Sequence, residues 1–515
     1  MKNFTARFLI LFAGIMAVHF IWEILDDRPP VWDMAYHQLK GWEYLQAWEQ
    51  GRLVEEFSSI SSHYPPLYYV QEAAVLNVFS DTQFLAILAN LLGLFLLAGS
   101  TYGIASFFMS REVAIWAGLL TLLFPFMAWI SRTSLLDVPL AGWAAGCGYC
   151  LLKSDLFQNK GWTVGFGLSL VAGMLTKWTF PVYMFFPLVF ALLYSQDRKR
   201  SLLNLADASL IAMPIAFLWY LPNLSRLFDR YPTTLQTSII PWQADPRHGE
   251  PGLSSILGWI YYARAISSYF LFLPLTVLFA WSAVFSIRRR RTAQPRLGLL
   301  WWWLLGGLAL LIIVTPKDPR FATPLLPPLA VLIMYPWRER PKWALVIFLL
   351  ALLQFLSVSF KLPFYPVKVA LFERQDSDYQ TIQQEWVFYA SQYFDVVGPP
   401  RRQDWRYDDI LGAIPAERRV GFIPDLAHFH PGGLELRALK KGRSLEVTRI
   451  GENPESLDAL DSLDYIVGKS GFQGISFITR FNEQAYERLK ESGWQQIHSW
   501  PVPDQSQALL WRRVK

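Results

Sequence analysis

Apolar runs long enough, or nearly long enough, to cross the hydrocarbon core of a bilayer recur along the first 360 residues, and few folds accommodate that recurrence. Eleven such runs are read: residues 8–25, 83–107, 113–130, 138–152, 162–176, 178–194, 203–221, 266–287, 297–314, 322–336 and 343–360. With 53% hydrophobic and only 17% charged residues, the composition excludes a disordered chain and argues against an ordinary soluble globule. Lys2 and Arg7 precede the first run as they would in a signal peptide. It ends, however, in Trp22-Glu23-Ile24-Leu25-Asp26-Asp27 with no small-residue cleavage site, and so reads as an anchoring helix. Cys147 and Cys150 spell C-G-Y-C but lie in the apolar run Val138 to Leu152, where they read as buried, inert thiols rather than a redox pair.

Loop charges set an orientation. With the N-terminus cytoplasmic, the inner loops hold sixteen basic and four acidic residues, the outer loops eleven basic and fourteen acidic. Arg288-Arg289-Arg290-Arg291 is the sharpest element of that bias, and reads as a topology anchor rather than a lipid or nucleic-acid patch. The net charge of +6 and pI near 9.1 therefore record membrane orientation, and no nucleic-acid partner is expected. Pro65 to Phe79 is short and carries Gln71, Glu72 and Asn77; counting it as a span would put the four-arginine run outside, so it reads as an interfacial helix on the outer face. An odd number of spans then leaves residues 361–515 outside as well.

That last region has twenty basic and twenty-one acidic residues and no spanning run. Strands are expected at 419–425, 444–450 and 464–468, an amphipathic helix with an Asn cap at 482–492, and a closing hairpin from 494–501 and 508–514. No nucleotide-binding glycine fingerprint or metal-ligand cluster appears in it. The expected architecture is an all-α polytopic membrane domain of about eleven helices over 1–360, with outer loops at 26–82 and 222–265, followed by a small α/β extracytoplasmic domain at 361–515.

Ionisable residues inside the spans are few, chiefly Glu23 and Asp207 near helix ends, which disfavours a transporter. Candidate chemistry collects in the outer loops instead. Asp33 follows Arg28-Pro29-Pro30-Val31-Trp32, and Asp33 and His37 at i and i+4 share a helical face, as an acid/base couple or part of a metal site with Asp137. Asp137 lies at the outer end of a span in Ser131-Arg132-Thr133-Ser134-Leu135-Leu136-Asp137, where a first-turn dipole role is the plain alternative. Thr315-Pro316-Lys317-Asp318-Pro319-Arg320-Phe321 puts two cations in an outer loop before a Pro-rich span. Cations on the side where topology disfavours them point to an anionic ligand.

Read in order, an Asp-bearing first outer loop, Tyr64-Pro65-Pro66-Leu67, Ser131-Arg132 with Leu136-Asp137, Gly173-Met174-Leu175-Thr176-Lys177-Trp178-Thr179, and Lys317-Asp318-Pro319-Arg320-Phe321 resemble the GT-C membrane glycosyltransferases. Within that clan the chain is most similar to the glycosyltransferase family 39 branch of protein O-mannosyltransferases and the lipid A aminoarabinose transferase, over residues 1 to 360 or so. The resemblance implies a hexosyl- or pentosyltransferase of the plasma or inner membrane. Its donor would be a polyprenyl-phosphate sugar, and its acceptor a protein, lipid or glycan glycosylated with inversion on the outer face. It places Asp33 at the catalytic carboxylate, Asp137 at a second carboxylate near the reaction centre, and Lys177 and Arg320 at the lipid phosphate.

Met34 stands where many relatives have a second acid, and Tyr64 separates His63 from the Pro pair, which leaves dependence on a divalent metal ion open. The chemistry agrees with the assignment: an acceptor hydroxyl needs a base, and a phosphate leaving group needs cations, here drawn from Lys177, Lys317, Arg320, Arg132 and Arg264. The loop from Pro222 to Tyr262, with Trp242, Asp245, Arg247 and His248, is long enough to form a lid over the acceptor. A lipid-linked oligosaccharide ligase or polymerase, and a non-enzymatic transporter or scaffold, are the competing readings.

Overall fold

The computed structural model describes residues 2–80, 82–226, 252–288, 296–314, 317–362, 369–376, 381–387, 398–416, 418–474, 478–491 and 493–514, the side chains of 2–4, 370–376 and 381–387 aside. All eleven apolar runs fall on helices. Among the described residues, five helices are long and apolar enough to cross a bilayer unaided: Thr5–Leu25, Leu85–Ala105, Arg198–Tyr220, Ile256–Arg288 and Pro341–Phe360. The remaining runs form shorter helices at Arg111–Leu123, Asp137–Lys153, Lys160–Thr176, Pro181–Tyr194, Leu297–Ile313 and Leu326–Met334. Leu210, Leu218, Val277 and Trp281 are exposed, as side chains facing lipid would be.

Proline accounts for much of the shortening. The 113–130 run breaks at Phe124, whose extended ψ of 137° precedes Pro125, and resumes only as Met127–Ile130. The 322–336 run opens as a 3-10 turn, Pro319–Leu325, before Leu326–Met334 with prolines in its first turn, and closes as a second 3-10 turn, Tyr335–Trp337. Ile256–Ala265 passes through a π-helical segment, Ile266–Leu271, into Phe272–Arg288.

Small residues bring helices together where Asp137 starts. A Cβ on Gly93 would lie 2.8 Å from Pro139 Cα, and one on Gly142 would lie 2.5 Å from the Gly93 carbonyl oxygen, so Leu85–Ala105 and Asp137–Lys153 meet backbone to backbone. At the other end of the bundle, Arg7 pairs with Glu112 at 3.1 Å, Arg296 pairs with Asp155, and Ser110 N donates to Arg338 O at 3.1 Å. These are segments the charge bias assigns to one side, and they share one end of the structure.

Among the described residues beyond 369 there are seven strands: β1 (Ala370–Asp376), β2 (Thr381–Val387), β3 (Val420–Phe422), β4 (Val447–Arg449), β5 (Tyr465–Lys469), β6 (Trp494–Pro501) and β7 (Gln507–Arg513). β1 and β2 are an antiparallel pair; the other five make a mixed sheet ordered β4-β3-β5-β7-β6. Strand periodicity sends Val420, Phe422 and Val467 to one core with Trp405, Phe429 and Leu434, and Ile466 to another with Ile450, Leu457 and Leu489. Two expectations change. Tyr407–Ala413, Pro431–Lys440 and Pro454–Asp458 are helices in segments given no element from sequence. Asn482 does not cap its helix by its side chain: its Oδ1, the atom a cap would use, accepts no hydrogen bond, while its Nδ2 donates to Ile423 O at 3.1 Å.

Candidate active site

After the Lys2–Leu25 helix the chain runs extended through the proline pair. Trp32 then turns it, with φ of 23°, and the Trp32–Glu49 helix begins, placing Asp33 in the first turn. Arg320 Nη1 donates to Asp33 Oδ2 at 3.3 Å. Arg320 is itself held more tightly by Asp318, which accepts from its backbone N and from Nε at 2.8 Å each, so Asp318 aims the guanidinium. The Asp33 side chain is 63% exposed. Burial alone would raise its pKa. Arg320 foremost, helped by Lys177, outweighs that and holds the carboxyl below its ordinary range.

One turn on, His37 is buried on the same face and shares a hydrogen bond of 2.9 Å with the Tyr69 hydroxyl from the Leu67–Phe79 helix. Burial first, then Arg320 and Lys177, lowers its pKa to about 4, so the ring is neutral near pH 7. The second carboxylate lies beside this group: Lys177 Nζ donates to Asp137 Oδ1 at 2.9 Å, both side chains buried, with the ammonium 4.7 Å from the Phe321 ring centre. Lys177 leaves its helix end in extended conformation, φ of −152°, which turns it toward Asp137. Asp33, His37, Asp137, Lys177 and Arg320, from four separate stretches of sequence, thus lie within one electrostatic neighbourhood.

The other candidates sit differently. Arg132 does not point to Asp33: its Nε donates to His19 at 3.1 Å, its Nη2 to Ser359 at 2.8 Å, and the guanidinium stacks 4.7 Å from Trp22. It lines a separate cavity of about 450 Å³ between the first helix and the C-terminal region, which Asp33 does not border. Lys317 is buried and donates to the carbonyls of Ile312 and Val314, neutralising the end of the Leu297–Ile313 helix. Arg264 lies 5.5 Å from the Tyr261 ring. Trp242, Asp245, Arg247 and His248 of the expected lid lie outside the described residues.

Among the described residues no group of three or more His, Cys, Asp or Glu side chains could hold an ion. Asp33 and Asp137 each face a cation instead, and His37 faces Tyr69. Sequence reasoning gave no role to Tyr69, Asp318 or Phe321, nor to Tyr64, whose ring centre lies 5.7 Å from that of His37. Tyr64, Asp318 and Phe321 stood inside quoted motifs, whereas Tyr69 carried no local signal.

Residues 63–225 match the model of a family described as dolichyl-phosphate-mannose-protein mannosyltransferase, a stretch that includes Asp137 and Lys177 but neither Asp33 nor Arg320. No curated protein matches the chain. Among solved structures, the fold is similar to ArnT from Cupriavidus metallidurans bound to undecaprenyl phosphate, with a TM-score of 0.58 and 16% identity over 98% of this chain and 97% of that one. The same protein in the apo state gives 0.58 and 15%, over 98% of each. An oligosaccharyltransferase from Archaeoglobus fulgidus, tethered to an acceptor peptide, is similar at 0.47 and 12%, over 89% of this chain and 69% of that one. The helical bundle followed by a small sheet domain is thus the ArnT fold over nearly the whole of both chains.

Proposed function

We propose that the chain is a membrane glycosyltransferase of the GT-C superfamily that transfers a single sugar from a polyprenyl-phosphate donor to a hydroxyl-bearing acceptor, with inversion. Asp33 is the general base. The acceptor oxygen bonds to the anomeric carbon as its proton passes to Asp33, and the bond from that carbon to the phosphate oxygen breaks. The departing polyprenyl phosphate carries the electron pair and needs cations rather than an acid, which Arg320 and Lys177 supply. Asp137 positions Lys177. Reaction takes place on the outer face, with the N-terminus cytoplasmic and the C-terminal domain extracytoplasmic, in keeping with the loop-charge bias.

The observation that carries this reading is that Arg320 bridges Asp318 and Asp33. A base locked to an arginine is quenched, but this contact is the looser of the two, 3.3 Å against 2.8 Å, and lies on the exposed side of the carboxylate. The phosphodiester of an arriving donor, a monoanion, competes for Nη1 while Asp318 keeps the guanidinium aimed, so donor binding frees the lone pair that the acceptor hydroxyl requires. The binding of undecaprenyl phosphate by the structurally similar ArnT supports the donor class. The test is transfer from a radiolabelled polyprenyl-phosphate sugar in membranes containing the protein, with product mass read on the acceptor. One added sugar supports the reading; addition of a whole oligosaccharide, or solute flux without transfer, would replace it.

A further inference from the structure

The segment that aims Asp33 is the proline pair, and prolines have no backbone N–H, so the carbonyls of Pro29 and Pro30 are the only backbone groups by which they can be gripped. Both are taken by the C-terminal domain. His428 Nδ1 lies 2.7 Å from Pro29 O, and His430 Nε2 lies 3.0 Å from Pro30 O. A carbonyl only accepts, so each of these ring nitrogens carries the hydrogen. The Nδ1 of His430 accepts from Gly433 N at 3.3 Å, which fixes that ring as the neutral Nε2–H tautomer.

His430 is in turn immobilised. The Tyr407 hydroxyl accepts from His430 N at 2.9 Å and donates to His430 O at 3.1 Å. Gly433 makes room for it, since a Cβ there would stand 2.4 Å from the Tyr407 oxygen. Upstream, Asp26 accepts from Arg401 N at 2.9 Å and Asp27 from Gln403 N at 2.7 Å. Downstream, Ala35 approaches Gly432 at the start of the Pro431–Lys440 helix. Asp26, Asp27, Pro29, Pro30 and Ala35 are thus all met by residues 401–433.

We propose that the C-terminal domain positions the base: His428 and His430 hold Pro29 and Pro30 so that Trp32 turns and Asp33 emerges facing Arg320. These histidines touch no reacting atom; they act through the backbone of the loop. The proposal rests on Asp33 being the base, although the grip itself does not.

The full-length protein tests it, by amide exchange over residues 26–36 and by steady-state transfer from the lipid-linked donor. His428→Ala with His430→Ala should speed exchange in that segment and lower kcat on the order of 10–100-fold, as misplacement of a catalytic group by about 1 Å does, with the donor KM little changed. His428→Asn and His430→Gln return an N–H at the δ and ε positions, and should restore protection and most of kcat. Should the double variant not fold, His428→Ala alone decides the same question. Unchanged exchange overturns the proposal. So does faster exchange with unchanged kcat in a protein whose Asp33→Asn variant is inactive. If Asp33→Asn itself turns over normally, the base assignment falls, and exchange alone decides whether the domain grips the loop.

Discussion

Lys177 reaches Asp137 at 2.9 Å from forty residues away, and both side chains are buried, with exposures of 8% and 2%. Two charges are taken out of solvent there, and each is tolerated only because of the other. Both stand at helix ends, Asp137 in a first turn and Lys177 just after a last one.

Breaking the pair from one side should therefore be costly. Lys177→Met leaves a buried carboxylate alone and Asp137→Leu a buried ammonium, and each is expected to lose roughly 3–5 kcal/mol of stability. The double change, Lys177→Met with Asp137→Leu, should recover most of it without recovering transfer. Thermal unfolding in detergent beside a transfer assay checks this; full activity in the double variant would remove both residues from the donor site.

Asp33 is exposed enough for its loss to leave the fold intact. Asp33→Asn is expected to lower transfer about 10²- to 10⁴-fold, the range of a general base, with unfolding temperature unchanged. Asp33→Glu should retain part of the activity. An Asn variant that transfers at the wild-type rate would sink the base role.

The pH profile separates Arg320 from Asp33. Burial pushes the Asp33 carboxyl up, and Arg320 foremost brings it below the ordinary value of 3.8, so the base stays ionised as pH falls toward that value. A depressed acid contributes stability above its unfolded pKa and loses it as pH falls through the folded one; for a carboxylate this exposed that contribution is small, and catalysis is the better readout. Arg320→Gln should therefore move the acid limb of kcat upward while also weakening donor binding. An acid limb that does not move would show that Arg320 does not tune the base.

Much of this was legible in sequence where the signal was local. Hydropathy marks the apolar runs because every backbone polar group in lipid must be satisfied within its own helix, and β3 and β5 are short apolar runs buried along their whole length. Cation placement against the topology bias brought out Arg320. What could not be read is which side chains meet across the bundle: Arg132 looked like Lys177 in sequence, yet stacks on Trp22. Ser359 and His19, which turn it there, lie 227 and 113 residues away. Prolines shortened helices by an amount that run length does not reveal.

Glu72 reverses the usual carboxylate behaviour. It is wholly buried in the Leu67–Phe79 helix, opposite Gly41, where a Cβ would come within 2.8 Å of its Oε2. Burial pushes its pKa up from 4.5 to about 8, opposed only in part by the Ser134 and Tyr68 hydroxyls. The folded chain keeps the proton through that window while the unfolded chain releases it, so stability falls as pH rises from about 4.5 to about 8, by up to ~1.4 kcal/mol per pH unit. Glu72→Gln keeps the shape and removes the titration. Its unfolding temperature should exceed that of the wild type at pH 8 and converge with it at pH 5; a wild-type-like decline in the Gln variant would assign the pH dependence to another group.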